Sequence, residues 1–443
     1  MTKKDDDMTY DRALSYMSEN SARGSVLGLD NIKELMSRLS DVQDKLKMIH
    51  VAGTNGKGST CAFLSNILTK AGYKVGRFTS PAVFSPLEII KIGNRNITQK
   101  AYAAHLSKVR RAAEEMETHP TVFEMETALA FLYFYEEDCD VCVIECGMGG
   151  DKDATNVIKN PELSVITSVS MDHRDILGKS LGAIAEKKAG IIKRERPLVT
   201  FMQDEEVMEV ISREASSKHS DLITFDPESD IRITSREINR TVFDLELMGE
   251  TFRDLVIKLP GDHQTENAAL AVAAALVFDR DLDRGCIRRG LKAAENPGRF
   301  EVLKKDPVWI ADGAHNVDAA LRFKETLTGL FPGKRYIFIM GVFADKDYEG
   351  ILKIAAPVAD MIITVHTPGS SRALPSYELA RAAMTYCSNV TAADSIEEAI
   401  ELAEAFAQKK DVVAAMGSLS FLGILKRRLK ESEHKGVYRK QIL

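Results

Sequence analysis

The stretch "MIHVAGTNGKGST", residues 48–60, joins an apolar run to a glycine-rich segment and indicates how the chain folds. The run "KMIHVA" followed by "STCAFLSNILTKAGY" is typical of a β-strand that leads through a tight turn into an α-helix, with Gly72 as the helix stop. Apolar runs such as "CDVCVIE" and "LSVITSVS" alternate with helical patterns along the rest of the chain. This alternation predicts an α/β fold with a parallel sheet.

The glycine-rich segment has the parts of a phosphate-binding loop. A strand precedes it, its glycines allow backbone N–H groups to point inward, and a helix follows that carries Lys57 at its start. The strict pattern G-x-x-x-x-G-K-[ST] is not met, because Val51 stands at its first glycine and Gly58 follows the lysine. An ordinary Asn-Gly turn would explain the glycines but not the lysine, whose charge opposes the helix dipole there. We therefore interpret the segment as a phosphate loop.

The chain of 443 residues is too long for one hydrophobic core, and its pattern of elements is interrupted at "AENPGRFEV". We predict two domains, residues 1–295 and 296–443. Beyond the interruption, "VWIADGAHN", "RYIFIMGVF", "MIITVHT" and "DVVAAMGS" are apolar runs that end in glycine or polar residues. This layout is typical of a second doubly wound sheet, which binds ligands at the carboxyl ends of its strands.

Composition and charge favour small-molecule ligands. The formal net charge is -6 and the basic residues are scattered, so we expect no nucleic-acid or membrane partner. The N-terminal residues have no signal-peptide core and no run is long enough to span a membrane, which predicts a cytoplasmic protein. We interpret Cys139, Cys142 and Cys146 as buried thiols rather than a metal or redox site.

Three polar residues follow predicted strands and could meet at one edge of the sheet. Glu145 ends "VCVIE", while Ser80 and His173 come after two other runs. Oxygen ligands together with nucleotide phosphates suit Mg²⁺, to which Ser59 or Thr60 could add a hydroxyl. Taken singly, Ser80 has a plainer explanation as a helix cap or turn, and His173 as a hydrogen-bonded histidine.

The segment "AIAEKKAGIIK" places two lysines beside an apolar turn. On residue properties alone, the favoured interpretation of Lys187 and Lys188 is a solvated helix face.

Nine segments resemble, in order, the motif series of the folylpolyglutamate synthase and dihydrofolate synthase family of the Mur ligase superfamily. They are "HVAGTNGKGST", "TSP", "FEMETALAF", "ECGMGGDKDATNV", "MDHRDILGKSLGAIAEKKAGIIK", "GDHQTENAALA", "PGRFEV", "ADGAHN" and "MGSLSFLG". The resemblance runs from about Leu27 to nearly the end of the chain. It implies an N-terminal P-loop ATPase domain of the Mur ligase type and a smaller Rossmann-like C-terminal domain.

The resemblance also implies an activity. The protein would be a monomeric ligase that uses ATP and Mg²⁺ to join L-glutamate to the γ-carboxylate of a reduced folate through an acyl phosphate. Dihydropteroate is a second candidate acceptor.

Roles for individual residues follow from the same resemblance. The triphosphate would lie on the loop residues Gly53, Thr54, Asn55, Gly56, Lys57, Gly58 and Ser59. Nucleotide contacts are implied for Asn267, Arg299 and Asp312, with His315 near the phosphates and the acyl phosphate. Metal ligands are implied at Ser59, Ser80, Glu145 and His173.

Two further sets of residues match the family. Lys188 corresponds to the lysine that CO₂ carbamylates, a change from cation to anion that replaces the solvated-face interpretation. The pterin end of the folate would lie near Phe123, Glu124, Asp153 and Ala154.

Some positions depart from the family, and two other functions remain open. Ala82 and Ile89 replace a usual histidine and arginine, and Asn296 replaces an aromatic residue, which leaves the use of dihydropteroate open. A Mur-type peptidoglycan ligase would need an additional N-terminal domain of about 100 residues, whereas 47 residues precede Met48. A non-catalytic nucleotide-binding module would need the loop but not "DGAHN" or "PGRFEV".

Overall fold

The largest sheet has the strand of the glycine-rich segment near its centre. The computed structural model describes residues 8–21, 24, 27–369 and 372–442, and within them this sheet has eight strands in the order β4-β3-β2-β5-β1-β6-β7-β8. The strands are β1 (Met48–Ala52), β2 (Val75–Phe78), β3 (Ile90–Ile92), β4 (Arg95–Asn96), β5 (Val141–Glu145), β6 (Leu163–Ile166), β7 (Leu198–Val199) and β8 (Leu222–Ile223). Neighbouring strands are parallel except that β3, near one edge, is antiparallel to both β2 and β4. The carboxyl ends of β5, β1 and β6 therefore lie side by side.

Helices cover both faces of this sheet. They are α1 (Tyr10–Ser21), α2 (Asp30–Arg38), α3 (Lys57–Lys70), α4 (Gln99–Glu114), α5 (Val122–Glu136), α6 (Arg174–Leu177), α7 (Leu181–Ala189), α8 (Glu205–Ser217), α9 (Pro227–Asp230), α10 (Asp262–Phe278) and α11 (Arg284–Ala293). The predicted helix after the glycine-rich segment is confirmed as α3, and Gly72, with φ of 103°, follows its end. Helix α3 packs on α10 and α11, and its residues 59–68 are buried, so the glycine-rich loop rests on a helix embedded in the core.

A small antiparallel sheet follows, which the sequence analysis did not foresee. Its strands are β9 (Ile231–Glu237), β10 (Arg240–Leu247) and β11 (Glu250–Ile257). Two-residue turns, Ile238-Asn239 and Met248-Gly249, join them as hairpins. Buried apolar residues of β10 and β11, such as Phe243 and Leu255, join the core that surrounds α10.

The C-terminal part contains the third sheet, and its predicted Rossmann-like character is confirmed. In the part of the chain that the structure describes, the strand order is β12-β13-β17-β14-β15-β16, parallel except for β12. The strands are β12 (Glu301–Lys305), β13 (Val308–Ala311), β14 (Tyr336–Met340), β15 (Met361–Thr364), β16 (Val390–Ala392) and β17 (Val412–Met416). The helices are α12 (Val317–Leu330), α13 (Tyr348–Ala355), α14 (Ser376–Ala383), α15 (Ile396–Phe406) and α16 (Leu419–Ile442). The domain boundary after residue 295 stays a prediction; it falls between the second and third sheets.

Two other sequence-based expectations bear on the fold. The six cysteines are free, and Cys142 and Cys146 are buried in and just after β5, as expected for core thiols. Cys139, which precedes β5, is only half-buried, so the prediction of a buried thiol is wrong there. Among the helices in the described ranges, none has both the length and the apolar character needed to cross a bilayer.

Candidate active site

A cavity of about 920 Å³ lies at the carboxyl edge of the first sheet and is lined by both the N-terminal and the C-terminal parts of the chain. The lining includes all residues that the sequence analysis assigned to nucleotide or metal, together with His315. These are Gly53, Thr54, Asn55, Gly56, Lys57, Gly58, Ser59, Ser80, Glu145, His173, Asn267, Arg299, Asp312 and His315. Of the described residues, Lys188 and the four predicted pterin residues are not part of the lining. The structure thus brings the first set together, while their individual roles stay predictions.

The glycine-rich loop has a backbone path that requires glycine at two positions. Gly53 and Gly56 have φ values of 151° and 84°, which side chains rarely adopt. A Cβ atom on Gly53 would lie 1.8 Å from Thr167 Oγ1, and one on Gly56 would lie 2.1 Å from Asn267 Oδ1. The loop is therefore packed closely between β6 and α10 and presents its remaining backbone to the cavity.

Two lysines converge on this loop. Lys57 Nζ donates hydrogen bonds to the carbonyl oxygens of Gly53 (3.1 Å) and Thr54 (3.0 Å), and Lys188 Nζ donates to the same Gly53 oxygen (2.8 Å). Burial, followed by the charge of Lys57, lowers the pKa of Lys188 to about 7. Lys57 beside a helix N-terminus suits a polyanion such as a triphosphate, while the lowered pKa of Lys188 gives it a neutral amine fraction near pH 7.

The solvated-face interpretation is wrong for one of the two adjacent lysines. Lys188 is only 3% exposed, because helix α7 turns it toward the phosphate loop. The side chain of Lys187 is 40% exposed and pairs with Asp151 at 3.2 Å. Neighbouring lysines in the sequence therefore have different environments.

Glu145 lies at the centre of the predicted metal site. Its Oε2 accepts a hydrogen bond from the Ser80 backbone N–H at 3.3 Å, and a Cβ atom on Gly58 would lie 3.4 Å from the same oxygen. Burial raises the pKa of Glu145 to about 7, although Lys57 and Arg299 act in the opposite direction. A buried carboxylate of this kind gains from a bound cation, so these residues fit Mg²⁺.

Two other predicted metal ligands make contacts with residues other than Glu145. Ser59 Oγ accepts a hydrogen bond from Asn296 Nδ2 (3.1 Å). The imidazole of His173 contacts Asp172 and Lys346 rather than Glu145. No group of three or more His, Cys, Asp or Glu side chains suited to a metal ion occurs within residues 8–21, 24, 27–369 and 372–442. A bound Mg²⁺ would therefore need serine hydroxyl and nucleotide oxygens beside Glu145.

A buried ion pair that the sequence analysis missed joins the two parts of the chain. Lys346, after β14, lies with its Nζ 2.6 Å from Asp172 Oδ1 and 3.2 Å from His173 Nε2. His315 Nε2 lies 3.5 Å from Asp172 Oδ2. Burial lowers the pKa of His173 to about 4, so its imidazole is neutral near pH 7 and accepts from Lys346. The signal that could have revealed Asp172 and Lys346 is their position just beyond strand ends.

An amide pair makes a second link between the two parts. Asn316 Nδ2 donates to Asn55 Oδ1 (3.0 Å) and to Asp172 Oδ2 (3.1 Å), and Asn55 Nδ2 donates to Asn316 Oδ1 (3.2 Å). Asn55 belongs to the phosphate loop, so this loop is held directly against the start of α12.

The predicted pterin residues lie beside one another but are engaged in local contacts. Phe123 packs on Gly147, where an added Cβ atom would lie 2.7 Å from the ring and 3.2 Å from Asp153 Oδ2. Glu124 caps α5, because its Oε2 accepts from the Thr121 N–H at 2.7 Å. Asp153 precedes a short 3₁₀ helix that begins at Ala154. Their contact with substrate stays a prediction.

We expect Glu145→Gln to remove a pH dependence of folding from the metal-free protein. The folded-state pKa of about 7 exceeds the ordinary 4.5, so between these values the native state keeps a proton that the unfolded state has lost. The free energy of unfolding of the unsubstituted protein should therefore fall as pH rises through this window, by about 3 kcal/mol at pH 8. Urea denaturation in EDTA at pH 5 and pH 8 measures it. Identical pH slopes for both proteins would refute the electrostatic account of Glu145.

Comparisons with known proteins agree with this geometry. Residues 51–275 match the family model of the Mur ligase middle domain, and residues 298–419 match that of the Mur ligase glutamate ligase domain. A dihydrofolate synthase/folylpolyglutamate synthase of Bacillus subtilis is 33% identical over 95% of this chain and 99% of its own length. A folylpolyglutamate synthase of Lacticaseibacillus casei is 34% identical over 83% of this chain and 88% of its own.

A solved structure gives the same result. The Mycobacterium tuberculosis folylpolyglutamate synthase complexed with ADP and AMPPCP has a TM-score of 0.87 to this chain at 32% identity. The similarity covers 95% of this chain and 98% of that one.

Proposed function

Since the chain belongs to the Mur ligase family and, within it, to the folylpolyglutamate synthase/dihydrofolate synthase family, we propose that it uses ATP to join L-glutamate to the γ-carboxylate of a reduced folate. The observation that carries this proposal is the cavity in which the phosphate loop and Glu145 face Arg299, Asp312 and His315. A site shared between two domains suits a reaction of three substrates, because closure excludes water from the reactive intermediate.

The chemistry follows from the weakness of a carboxylate as an electrophile. A γ-carboxylate oxygen of the folate attacks the γ-phosphorus of ATP, which forms an acyl phosphate and releases ADP. The amine of L-glutamate then attacks the acyl carbon, and phosphate leaves with the bridging oxygen. Both steps need positioning and charge neutralisation more than covalent help from the protein.

The nucleotide would bind across the cavity. The loop from Gly53 to Ser59 would hold the phosphates through its N–H groups, with Lys57 on the β- and γ-phosphates. Asn267, Arg299 and Asp312 would contact the rest of the nucleotide. Asp312 is held firmly, since its two carboxylate oxygens accept from the N–H groups of Phe300 and Ala314, each at 2.7 Å.

Mg²⁺ would be held by Glu145, with Ser59 and Ser80 as further ligands and His173 joining them once its Nε2 is released from Lys346. When bound, Mg²⁺ supplies positive charge to the phosphate oxygens. Carbamylated Lys188 would add an anion near this site. Its low pKa supports this proposal, because CO₂ reacts with the neutral amine to give a carbamate and a proton. The carbamate would place a negative charge where the Lys188 amine now lies beside Gly53.

The attacking amine must first lose a proton, and we assign its acceptance to His315. The Nδ1 of His315 donates to the Gly313 carbonyl at 2.8 Å, which leaves Nε2 as the basic atom. The carboxylate of Asp172, 3.5 Å from Nε2, would stabilise the imidazolium that results.

The acceptor specificity can be tested with two substrates. The protein is incubated with Mg·ATP and L-glutamate, and with tetrahydrofolate or dihydropteroate, and the product mass is measured. We expect tetrahydrofolate to gain one glutamyl residue; no gain on either acceptor would contradict the proposed function. A gain on dihydropteroate as well would assign the second activity, whereas its absence would implicate Ala82, which lines the cavity, and Ile89.

The site also favours an enzyme over a non-catalytic nucleotide-binding module. Such a module has no need for Arg299, Asp312 and His315 opposite the phosphate loop. It would hydrolyse no ATP in response to folate and glutamate together.

We also infer that the protein acts as a monomer in the cytoplasm. The support for this inference is the family resemblance, which implies a monomer. Sedimentation of the protein with and without nucleotide tests the oligomeric state.

A further inference from the structure

The segment of residues 146–155, called loop 146–155, runs from the end of β5 through the first two residues of a short 3₁₀ helix and carries part of the proposed folate site. It begins directly after Glu145 and ends at Thr155. Its sequence, "CGMGGDKDAT", contains three glycines, of which Gly149 has φ of 71°. Glycines lose more conformational entropy on ordering than other residues, so this loop needs contacts that fix its backbone conformation.

His50 holds both ends of this loop. It lies in β1, beside Ile144 of β5, and is fully buried. Its Nε2 is 2.8 Å from Thr155 Oγ1 and 3.0 Å from Cys146 Sγ. One side chain of a neighbouring strand thus contacts the first and the last residue of the loop.

The hydrogen bonds form a directed chain that starts at His50. Thr155 Oγ1 donates to Asp153 Oδ1 at 2.5 Å, so the same hydroxyl oxygen is free to accept from His50 Nε2–H. Burial, with a smaller effect of Lys193, lowers the pKa of His50 to about 3, which keeps the ring neutral. With the proton on Nε2, the Nδ1 atom is an acceptor, and it has no hydrogen-bond partner among the described residues.

Asp153 links Thr155 to the glycine-containing part of the loop through hydrogen bonds. Its Oδ1 also accepts from the Thr155 N–H (3.0 Å), and its Oδ2 accepts from the Met148 N–H (2.8 Å). Gly147, just before Met148, packs directly against the ring of Phe123. The chain of contacts therefore runs from His50 through Thr155 and Asp153 to the surface next to Phe123.

We propose that His50 is a positioning residue for the folate, which fixes loop 146–155 against Phe123 and thereby sets the KM for folate without touching folate or nucleotide. The inference rests on the proposed function, which assigns the folate to Phe123 and Asp153. His50 is only three residues before Gly53 of the phosphate loop, yet its recorded hydrogen bonds go to loop 146–155. Loss of His50 is therefore expected to raise the KM for folate but not the KM for ATP.

The test compares His50→Leu with His50→Gln, which retains an N–H donor. We expect His50→Leu to raise the KM for tetrahydrofolate about tenfold and the KM for ATP less than about twofold, with His50→Gln in between. Thr155→Val should have the same effect as His50→Leu, and the double variant should be no worse than either, because both substitutions break the same chain of bonds. Thr155→Val also provides the test if His50→Leu does not fold.

Ser164→Ala is the matched control. Ser164 is the partner of His50 in the β1–β6 register, is equally buried, and donates to the Ile191 carbonyl at 2.9 Å rather than to the loop. It should leave both KM values unchanged. A rise in the KM for ATP as large as that for folate, or no rise in either, would overturn the role of His50.

A measurement without substrate separates this inference from the proposed function. Amide hydrogen exchange in residues 146–155 should be faster in His50→Leu than in Ser164→Ala, while exchange in residues 53–58 should be equal. If the unsubstituted protein adds no glutamate to any folate, the proposed function fails. Unchanged exchange in loop 146–155 would instead refute the positioning role.

Discussion

Lys57→Ala is expected to lower the rate of ATP-dependent glutamate ligation by about 10³-fold. In the structure the ammonium group lies on the carbonyl oxygens of Gly53 and Thr54, at the entrance of the phosphate loop. A γ-phosphoryl group in transfer carries negative charge that this cation would neutralise. The quantity to measure is kcat from ADP release at saturating ATP, folate and glutamate.

Lys70→Ala is the matched control for this loss. Lys70 is the last residue of the same helix, α3, and its side chain is exposed. It should retain nearly full activity, and both variants should keep the circular dichroism of the unsubstituted protein. Activity of Lys57→Ala within about tenfold of the unsubstituted protein would rule out its phosphate role.

Lys188→Ala is expected to reduce kcat by about 10²-fold, with partial recovery on addition of acetate or formate. The reason is the burial of Lys188 beside Gly53, which favours a neutral amine and hence the carbamate. Short carboxylates would place anionic oxygens in the space that the missing side chain leaves. The rate is measured against carboxylate concentration.

Lys187→Ala tests whether this effect is specific. Lys187 has the same chemistry one residue earlier, but its side chain is half-exposed and pairs with Asp151. The variant should be active and insensitive to carboxylates, whereas the unsubstituted protein should lose activity when CO₂ and bicarbonate are removed. Full activity of Lys188→Ala would return this lysine to a structural role.

The strand, glycine-rich loop and helix around residues 48–70 could be predicted because their signals are local. A buried strand, glycines and a lysine at a helix start are adjacent in the sequence, and the structure places them as β1, loop and α3. The C-terminal sheet could be predicted for the same reason, since its strands are apolar runs with polar ends. The β9–β11 sheet was not predicted, because its strands follow one another as hairpins instead of alternating with helices.

The environment of Lys188 could not be predicted from residue properties, because it depends on tertiary packing. Gly150 allows α7 to approach, since an added Cβ atom there would lie 2.6 Å from the Lys187 carbonyl and 2.8 Å from that of Lys188. This close approach turns Lys188 toward the phosphate loop. The segment "AIAEKKAG" alone does not reveal it. Only the family resemblance singled out Lys188.

The contacts between the two parts of the chain could not be predicted from local sequence patterns either. Lys346 and Asp172 are 174 residues apart in the sequence. Each follows a strand of a different sheet, so their pairing depends on how the sheets are placed across the cavity. Strand-end position predicts that such residues lie near a site, but not which of them meet.

The most direct test of the central claim follows oxygen atoms from the folate to phosphate. The acceptor is labelled with oxygen-18 in both oxygens of its γ-carboxylate and incubated with the protein, Mg·ATP and L-glutamate. Ligation through an acyl phosphate predicts a glutamylated product together with inorganic phosphate that carries a single oxygen-18 atom. Label in AMP, or unlabelled phosphate alongside glutamylated product, would contradict the mechanism proposed for this site.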